Sequence, residues 1–213
     1  MKTMKLAIFG ATGRTGQPLV QQALDAGHEV VALVRTPSKM GITHPRLTLI
    51  VGDVLNPTDV ARCITPDVTA VYSLLAPTKG APDDLLPRAV DNIIMAMRAQ
   101  GVRRLIYMTG AGVTQPQDKP GVIDRVMGVL LRAFAGKVLA MSQAAADKVM
   151  SSDLDWTIPR APVLHDSPTS GAYRVGWLGH DTTFRLNRSA GATFLLTQAT
   201  DTRYLRLAPV VSD

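Results

Sequence analysis

Three glycines, with two residues between each and the next, stand in Gly10-Ala11-Thr12-Gly13-Arg14-Thr15-Gly16, directly after the apolar run Leu6-Ala7-Ile8-Phe9. That spacing suits a strand-to-helix turn that holds a diphosphate. One glycine makes the tight turn, one lets the backbone approach the diphosphate, and one lets the helix pack on the strand. The free N–H groups at the helix start then face the phosphates. A glycine triplet alone is weak evidence. Here the strand, the helix and the next strand all fall at the expected distances.

The second strand bears on which dinucleotide is bound. A site for a free ribose 2′-hydroxyl places Asp or Glu at its carboxyl end. This chain has Leu33-Val34-Arg35 there, about 20 residues beyond the last glycine, in the position that motif assigns to the acid. Glu29 lies at the opposite end. The guanidinium fork of Arg35 suits a 2′-phosphate, and Arg14 and Lys39 can add charge. NADPH is therefore preferred over NADH, with a solvated surface arginine as the other reading of Arg35. Asp53 and Val54, after a third strand, can reach an adenine edge. Asp53 can equally be a turn former or helix cap. Leu75-Ala76-Pro77 ends the fourth strand, beside the expected adenosine ribose and diphosphate.

The elements that must position these residues alternate. The pattern predicts strands over Met4–Phe9, Glu29–Val34, Leu47–Val51, Ala70–Leu75, Arg104–Thr109 and Trp156–Ile158. Helices are predicted over Gln17–Ala26, Pro57–Ile64 with Asn56 as cap, Asp84–Gln100, Val122–Ala135 and Lys137–Ser151, the last two parted by Gly136. A strand over Thr182–Leu186, a helix over Ser189–Thr197 and a terminal strand over Tyr204–Leu207 complete the pass. The fold class is α/β: a doubly wound, mostly parallel Rossmann sheet with helices on both faces. One NAD(P)-binding domain over residues 1–213 is expected. Its substrate site would lie in the loops after the fifth and sixth strands, at the carboxyl edge where ligands bind.

Composition narrows the field. The 213 residues are 46% hydrophobic and 19% charged, with a net charge of +6. That charge suits phosphate-bearing cofactors or acidic substrates, and no dense basic stripe points to nucleic acid. No stretch reaches membrane-spanning length and no signal peptide is visible, so a soluble cytoplasmic protein is the expectation. Cys63 is the only cysteine and the four histidines lack ligand spacing, which leaves no metal site.

Four segments together resemble the NmrA-like atypical short-chain dehydrogenases/reductases, in particular their biliverdin reductase-like and flavin reductase-like branch. They are Ile8–Gly16, Val34-Arg35, Gly52-Asp53-Val54 and Asp155–Pro162. The stretch Asp166-Ser167-Pro168-Thr169-Ser170-Gly171-Ala172-Tyr173 is similar to that branch's loop after the sixth strand. The likeness runs from about Met4 to about Leu196. It implies hydride transfer from NADPH to a planar acceptor such as a flavin or bilin, with a quinone also admitted. Gly10, Thr12, Gly13, Arg14, Thr15, Gly16, Arg35 and Lys39 are implied as cofactor contacts. Asp53, Val54, Leu75 and Ala76 fall to the adenosine half, and Thr109 and Pro162 lie near the nicotinamide. The resemblance also implies a monomer.

Two departures matter. Ordinary short-chain dehydrogenases use a Tyr-x-x-x-Lys pair, and none of the four tyrosines has Lys four residues on. The second is Thr109-Gly110, where that branch carries Thr-Ser. Thr109 is left as the nearest hydroxyl and the catalytic candidate, with Gly110 beside the substrate. Arg132 and Arg174 are candidates for an acidic substrate group or are surface charges. The apolar residues Ile123, Val126, Met127, Leu130, Leu131 and Phe134 read as core packing or as a lid. Trp177 borders the pocket or packs elsewhere. Two other classes stay open. One is an NADP(H) sensor without turnover. The other is an isomerase or a reductase of a specific metabolite, for which Asp118 and Asp147 are the candidate acid/base residues.

Overall fold

A computed structural model describes residues 3–78, 80–167 and 172–213, without the side chains of Ile123, Met127, Leu130, Leu131 and Arg132. The first half alternates as the periodicity predicts: β1 (Lys5–Phe9), α1 (Gly16–Asp25), β2 (Glu29–Val34), a single 3-10 turn at Pro37–Lys39, β3 (Leu47–Val51), α2 (Pro57–Cys63), β4 (Ala70–Ser73), α3 (Leu85–Ala99) and β5 (Arg104–Tyr107). After it come β6 (Thr109–Gly110), α4 (Val122–Met150), β7 (Asp155–Thr157), β8 (Arg160–Ala161), β9 (Val163–His165), β10 (Arg174–Gly176), β11 (Arg185–Asn187), α5 (Arg188–Thr197) and β12 (Val210–Ser212).

The main sheet runs β3-β2-β1-β4-β5-β7, every pair parallel. The order reverses between β1 and β4, which opens a crevice at the carboxyl edge. Alternation along β1 feeds two cores. Leu6 and Ile8 face Leu19, Val20, Ala23 and Leu24 of α1 and Leu195 of α5. Ala7 and Phe9 face Val60 of α2, Ile93 and Met97 of α3 and Val149 of α4. Helices therefore cover both faces, as the near-continuous apolar strands require.

Local signals explain several boundaries. Asn56 caps α2, its side chain accepting from Thr58 N at 3.0 Å, with Pro57 next. The chain breaks α4 at Ala135 (φ −132°, ψ 25°), one residue before the expected Gly136.

The second half departs from expectation. Tyr204–Leu207 is not a strand. Arg206 takes a left-handed φ of 55° and Leu207 N closes a turn onto Tyr204 O, so only a bridge to Thr157 forms. The terminal strand is β12. The strand predicted over Thr182–Leu186 forms later, as β11, because Asp181 has a positive φ and the Thr183 hydroxyl bonds to its own neighbour Arg185. Arg160-Ala161 forms strand β8. It joins a second sheet, β10-β12-β8-β6, while β9 and β11 pair parallel. Among the described residues, no helix is long and apolar enough to cross a membrane.

Candidate functional site

The glycine turn sits at the carboxyl end of β1, over the crevice. Gly10 has φ +87°, and a Cβ there would stand 2.7 Å from Leu74 O. A Cβ on Gly16 would stand 2.2 Å from Gly10 O. These two glycines are demanded by the protein itself, one for backbone sign and both for contact. Gly13 differs. It is exposed, and its nearest obstacle is Gly10 O at 3.2 Å. A small side chain there meets this one tight contact, a milder obstacle than those at Gly10 and Gly16. Thr12 and Thr15 are half-buried, and Arg14 is exposed.

Arg35 leaves β2 where Gly52 N donates to Val34 O at 3.1 Å, which sets the Gly52–Val54 segment beside it. Arg35 and Lys39 are exposed, and neither cation has an ion-pair partner among the described residues. Gln17 ties this region to the glycine turn. Its Nε2 donates to Thr12 O at 3.3 Å and Lys39 O at 3.4 Å. Sequence reasoning passed over Gln17, whose role depends on the loop after β2 folding back.

Asp53 forms a local turn, its Oδ1 accepting from Leu55 N at 2.8 Å. That is the turn-forming reading of the residue. Val54 is buried in the core and its carbonyl accepts from Asn92 Nδ2 at 2.9 Å. Leu75 is half-buried and Ala76 exposed, just past the Leu74 carbonyl that crowds Gly10.

On the other side of the switch point, Thr109 opens β6 and pairs with Arg160, its N donating to Pro159 O at 3.0 Å. Its hydroxyl has no protein partner among the described residues. Gly110 is exposed, with nothing within 4 Å of where a Cβ would stand. Pro162, half-buried, links β8 to β9. Arg174 is exposed on β10, with β12 and β8 between it and β6, roughly 14 Å at ordinary strand spacing. The Arg132 side chain and residues 168–171 of the loop before Tyr173 lie outside the described residues. So do four side chains of the expected lid face. Its other two members, Val126 and Phe134, are exposed, which removes them from the core.

The acid/base candidates are otherwise engaged. Asp118 is a correction: it is 5% exposed and grips Arg160 through two bonds, Nη2–Oδ1 at 2.6 Å and Nη1–Oδ2 at 2.7 Å. It also accepts from Gln115 N and Leu178 N. Trp177 stacks against the same guanidinium, 5.9 Å from its ring centre. Asp147 lies exposed on α4 and accepts from Gln143. Tyr72 and Tyr107 are buried, which pushes their hydroxyls up. Cys63 is likewise buried and its thiol is pushed up to about 12, which makes it inert.

One further constellation was missed. Asp166, just past β9, accepts from Arg14 Nη2 at 2.5 Å and from Arg188 Nη1 at 2.9 Å. These hydrogen bonds hold its carboxyl below the usual carboxylate range. No local spacing marks a contact between residues 152 positions apart.

Comparison with known proteins agrees with this architecture. The profile of a family described as NAD(P)H-binding matches residues 10–202. A chloroplastic protein of Arabidopsis thaliana, itself uncharacterised, is 30% identical over 180 residues, covering 80% of this chain and 63% of that protein. Another curated relative is matched over 33% of its length, so this chain spans less than two thirds of each. Among solved structures, a short-chain dehydrogenase/reductase of Veillonella parvula in complex with NADP superposes with a TM-score of 0.82. It is 19% identical, covering 100% of this chain and 95% of that one. The anaerobilin reductase ChuY of Escherichia coli O157:H7 superposes at 0.75 with 18% identity, covering 98% and 97%. A turn that bares Gly13 toward solvent, a β1/β4 switch point and a profile match over nearly the whole chain agree: the chain belongs to the NAD(P)H-binding family.

Proposed function

We propose that this protein is an NADPH-dependent reductase that delivers hydride to a planar conjugated acceptor, a flavin such as FMN, a bilin or a quinone. The observation that carries the cofactor choice is the pair Arg35 and Lys39, exposed and without a counter-ion among the described residues where an NAD site would place a carboxylate. Two cations there favour a 2′-phosphate. The Val54 N–H, which has no partner among the described residues, is available to an adenine edge.

Support for the acceptor class comes from what surrounds Thr109. Alcohol or sugar oxidation needs a proton acceptor with a tuned pKa. The tyrosines offer none: Tyr72 and Tyr107 are buried, and Tyr173 and Tyr204 pack around Phe194. A conjugated acceptor asks for less. The reduced nicotinamide supplies the hydride when bound, and the protein's part is to hold two flat rings at contact distance. Thr109 offers a free hydroxyl to a carboxamide, and the open space at Gly110 leaves room for a ring. The name of the Escherichia coli relative supports the bilin arm of this reading.

The test is oxidation of NADPH and of NADH by the purified protein with FMN, biliverdin or a quinone. NADPH is expected to be the better donor. Loss of one charge-assisted contact in Arg35→Ala is expected to raise the KM for NADPH roughly ten- to a hundredfold and leave NADH unchanged. Binding of NADPH with no oxidation by any of the three acceptors would replace the reductase reading with that of a cofactor sensor.

A further inference from the structure

Asp166 joins two arginines that are far apart in the chain. Arg188 is the first residue of α5 and its side chain is about nine-tenths buried. It is rooted: Asn187 caps α5 by accepting from Ser189 N at 2.8 Å, and Gln22 of α1 donates to Ser189 O at 3.0 Å. Arg14, in contrast, stands in the glycine turn with 73% of its side chain exposed. Asp166 bonds to both, linking the rooted Arg188 to Arg14. Among the described residues Arg14 bonds only through Nη2, and Nε and Nη1 have no protein partner. The three groups together carry one net positive charge beside the bare backbone of Gly13.

We infer that Asp166 is a positioning residue that holds the Arg14 guanidinium ready for a phosphate oxygen of the cofactor's diphosphate. This rests on the dinucleotide reading of the glycine turn. A solvated arginine loses its rotamer freedom when a ligand fixes it, and an arginine already fixed does not. The assignment separates two cation sets. Arg35 and Lys39 read the 2′-phosphate, which only NADPH has. Arg14 meets the diphosphate, which NADPH and NADH share.

The experiment is fluorescence titration of NADPH and NADH into the wild type, Asp166→Asn, Asp166→Glu, Arg14→Ala and the Asp166→Asn/Arg14→Ala double variant, with a thermal melt of each. Asp166→Asn is expected to raise Kd about three- to tenfold for both cofactors alike. Asp166→Glu, which keeps the charge, is expected to restore most of the affinity. The Asn substitution is expected to add nothing in the Arg14→Ala background. An unchanged Kd would overturn the proposal. So would a lower one, which would make Asp166 a competitor of the phosphates. A rise that persists without Arg14 would assign Asp166 a purely structural role through Arg188, and it too would overturn the proposal. Because binding is the readout, the outcome stands whether or not any acceptor is reduced. If the wild type binds neither cofactor, both readings fall, and that result is distinct from the others.

Discussion

Arg160 and Asp118 form a doubly hydrogen-bonded ion pair, at 2.6 and 2.7 Å, with side chains 0% and 5% exposed. Two further donors of Arg160 are engaged, Nε to Ala208 O and Nη1 to Val113 O, both at 2.7 Å. The pair ties the loop before α4 to β8 and to the segment entering β12. Breaking such a pair strands a buried charge, which costs about 3–5 kcal/mol, whereas replacing both partners by apolar groups costs far less. Asp118→Ala is therefore expected to lower the thermal midpoint by several degrees. Asp118→Leu combined with Arg160→Met should recover part of the loss. A melt of Asp118→Ala within a degree of the wild type would contradict this.

The three glycines of the turn should part into two groups. Gly16→Ala brings a methyl to 2.2 Å from Gly10 O, and Gly10→Ala combines a positive φ with contact to Leu74. Both variants are expected to unfold at lower denaturant or express poorly. Gly13→Ala, which meets one contact at 3.2 Å, should lose less stability than either and bind NADPH more weakly, since the position is exposed on the turn. Denaturant melts and cofactor titrations on the three variants decide the matter.

Gly110 has open space around it, so Gly110→Ser is expected to leave the melt unchanged. The added hydroxyl stands beside Thr109 and can contribute one hydrogen bond, worth about 0.5–1.5 kcal/mol. Steady-state assays with FMN should show a kcat raised by roughly two- to tenfold and an unchanged KM for NADPH. A fall in kcat would show that the bare backbone serves the acceptor.

His28 is 2% exposed, and its Nδ1 accepts from Met4 N at 3.3 Å. Burial first, then the nearby Arg46, holds its pKa below 6.5. The folded state thus binds this proton less readily than the unfolded state. Its contribution to stability is complete above pH 6.5 and is lost as the pH falls through the lowered folded value. Denaturant melts of the wild type between pH 7 and pH 5 are expected to show this loss. His28→Asn, whose amide oxygen can take over the Met4 bond, should flatten it. Parallel pH profiles for the two proteins would refute the assignment.

Much of the architecture was legible in the chain because its signals are local. The period of β1 through β5, the Asn56-Pro57 helix start and the glycine turn each need only a few neighbouring residues to be read. Arg35 in place of an acidic residue and the missing Tyr-x-x-x-Lys pair are likewise visible from spacing alone. The second half was harder. Strands β8, β9, β10 and β12 are two or three residues long, too short for a period to show. They exist because each lies against a partner distant in sequence.

The charges were decided by tertiary structure. Asp118 and Asp166 are both acidic residues in loops, and nothing in their neighbours tells them apart. The fold buries Asp118 against Arg160 and so withdraws it from chemistry. It brings Asp166 from 152 residues away to the one arginine in the glycine turn. The sequence by itself determined a dinucleotide fold and the sign of the charge at the end of β2, since strand period and turn geometry depend on neighbours. Which carboxylate is inert and which one reaches the turn depended on where the chain returns, because an ion pair is set by distance in space.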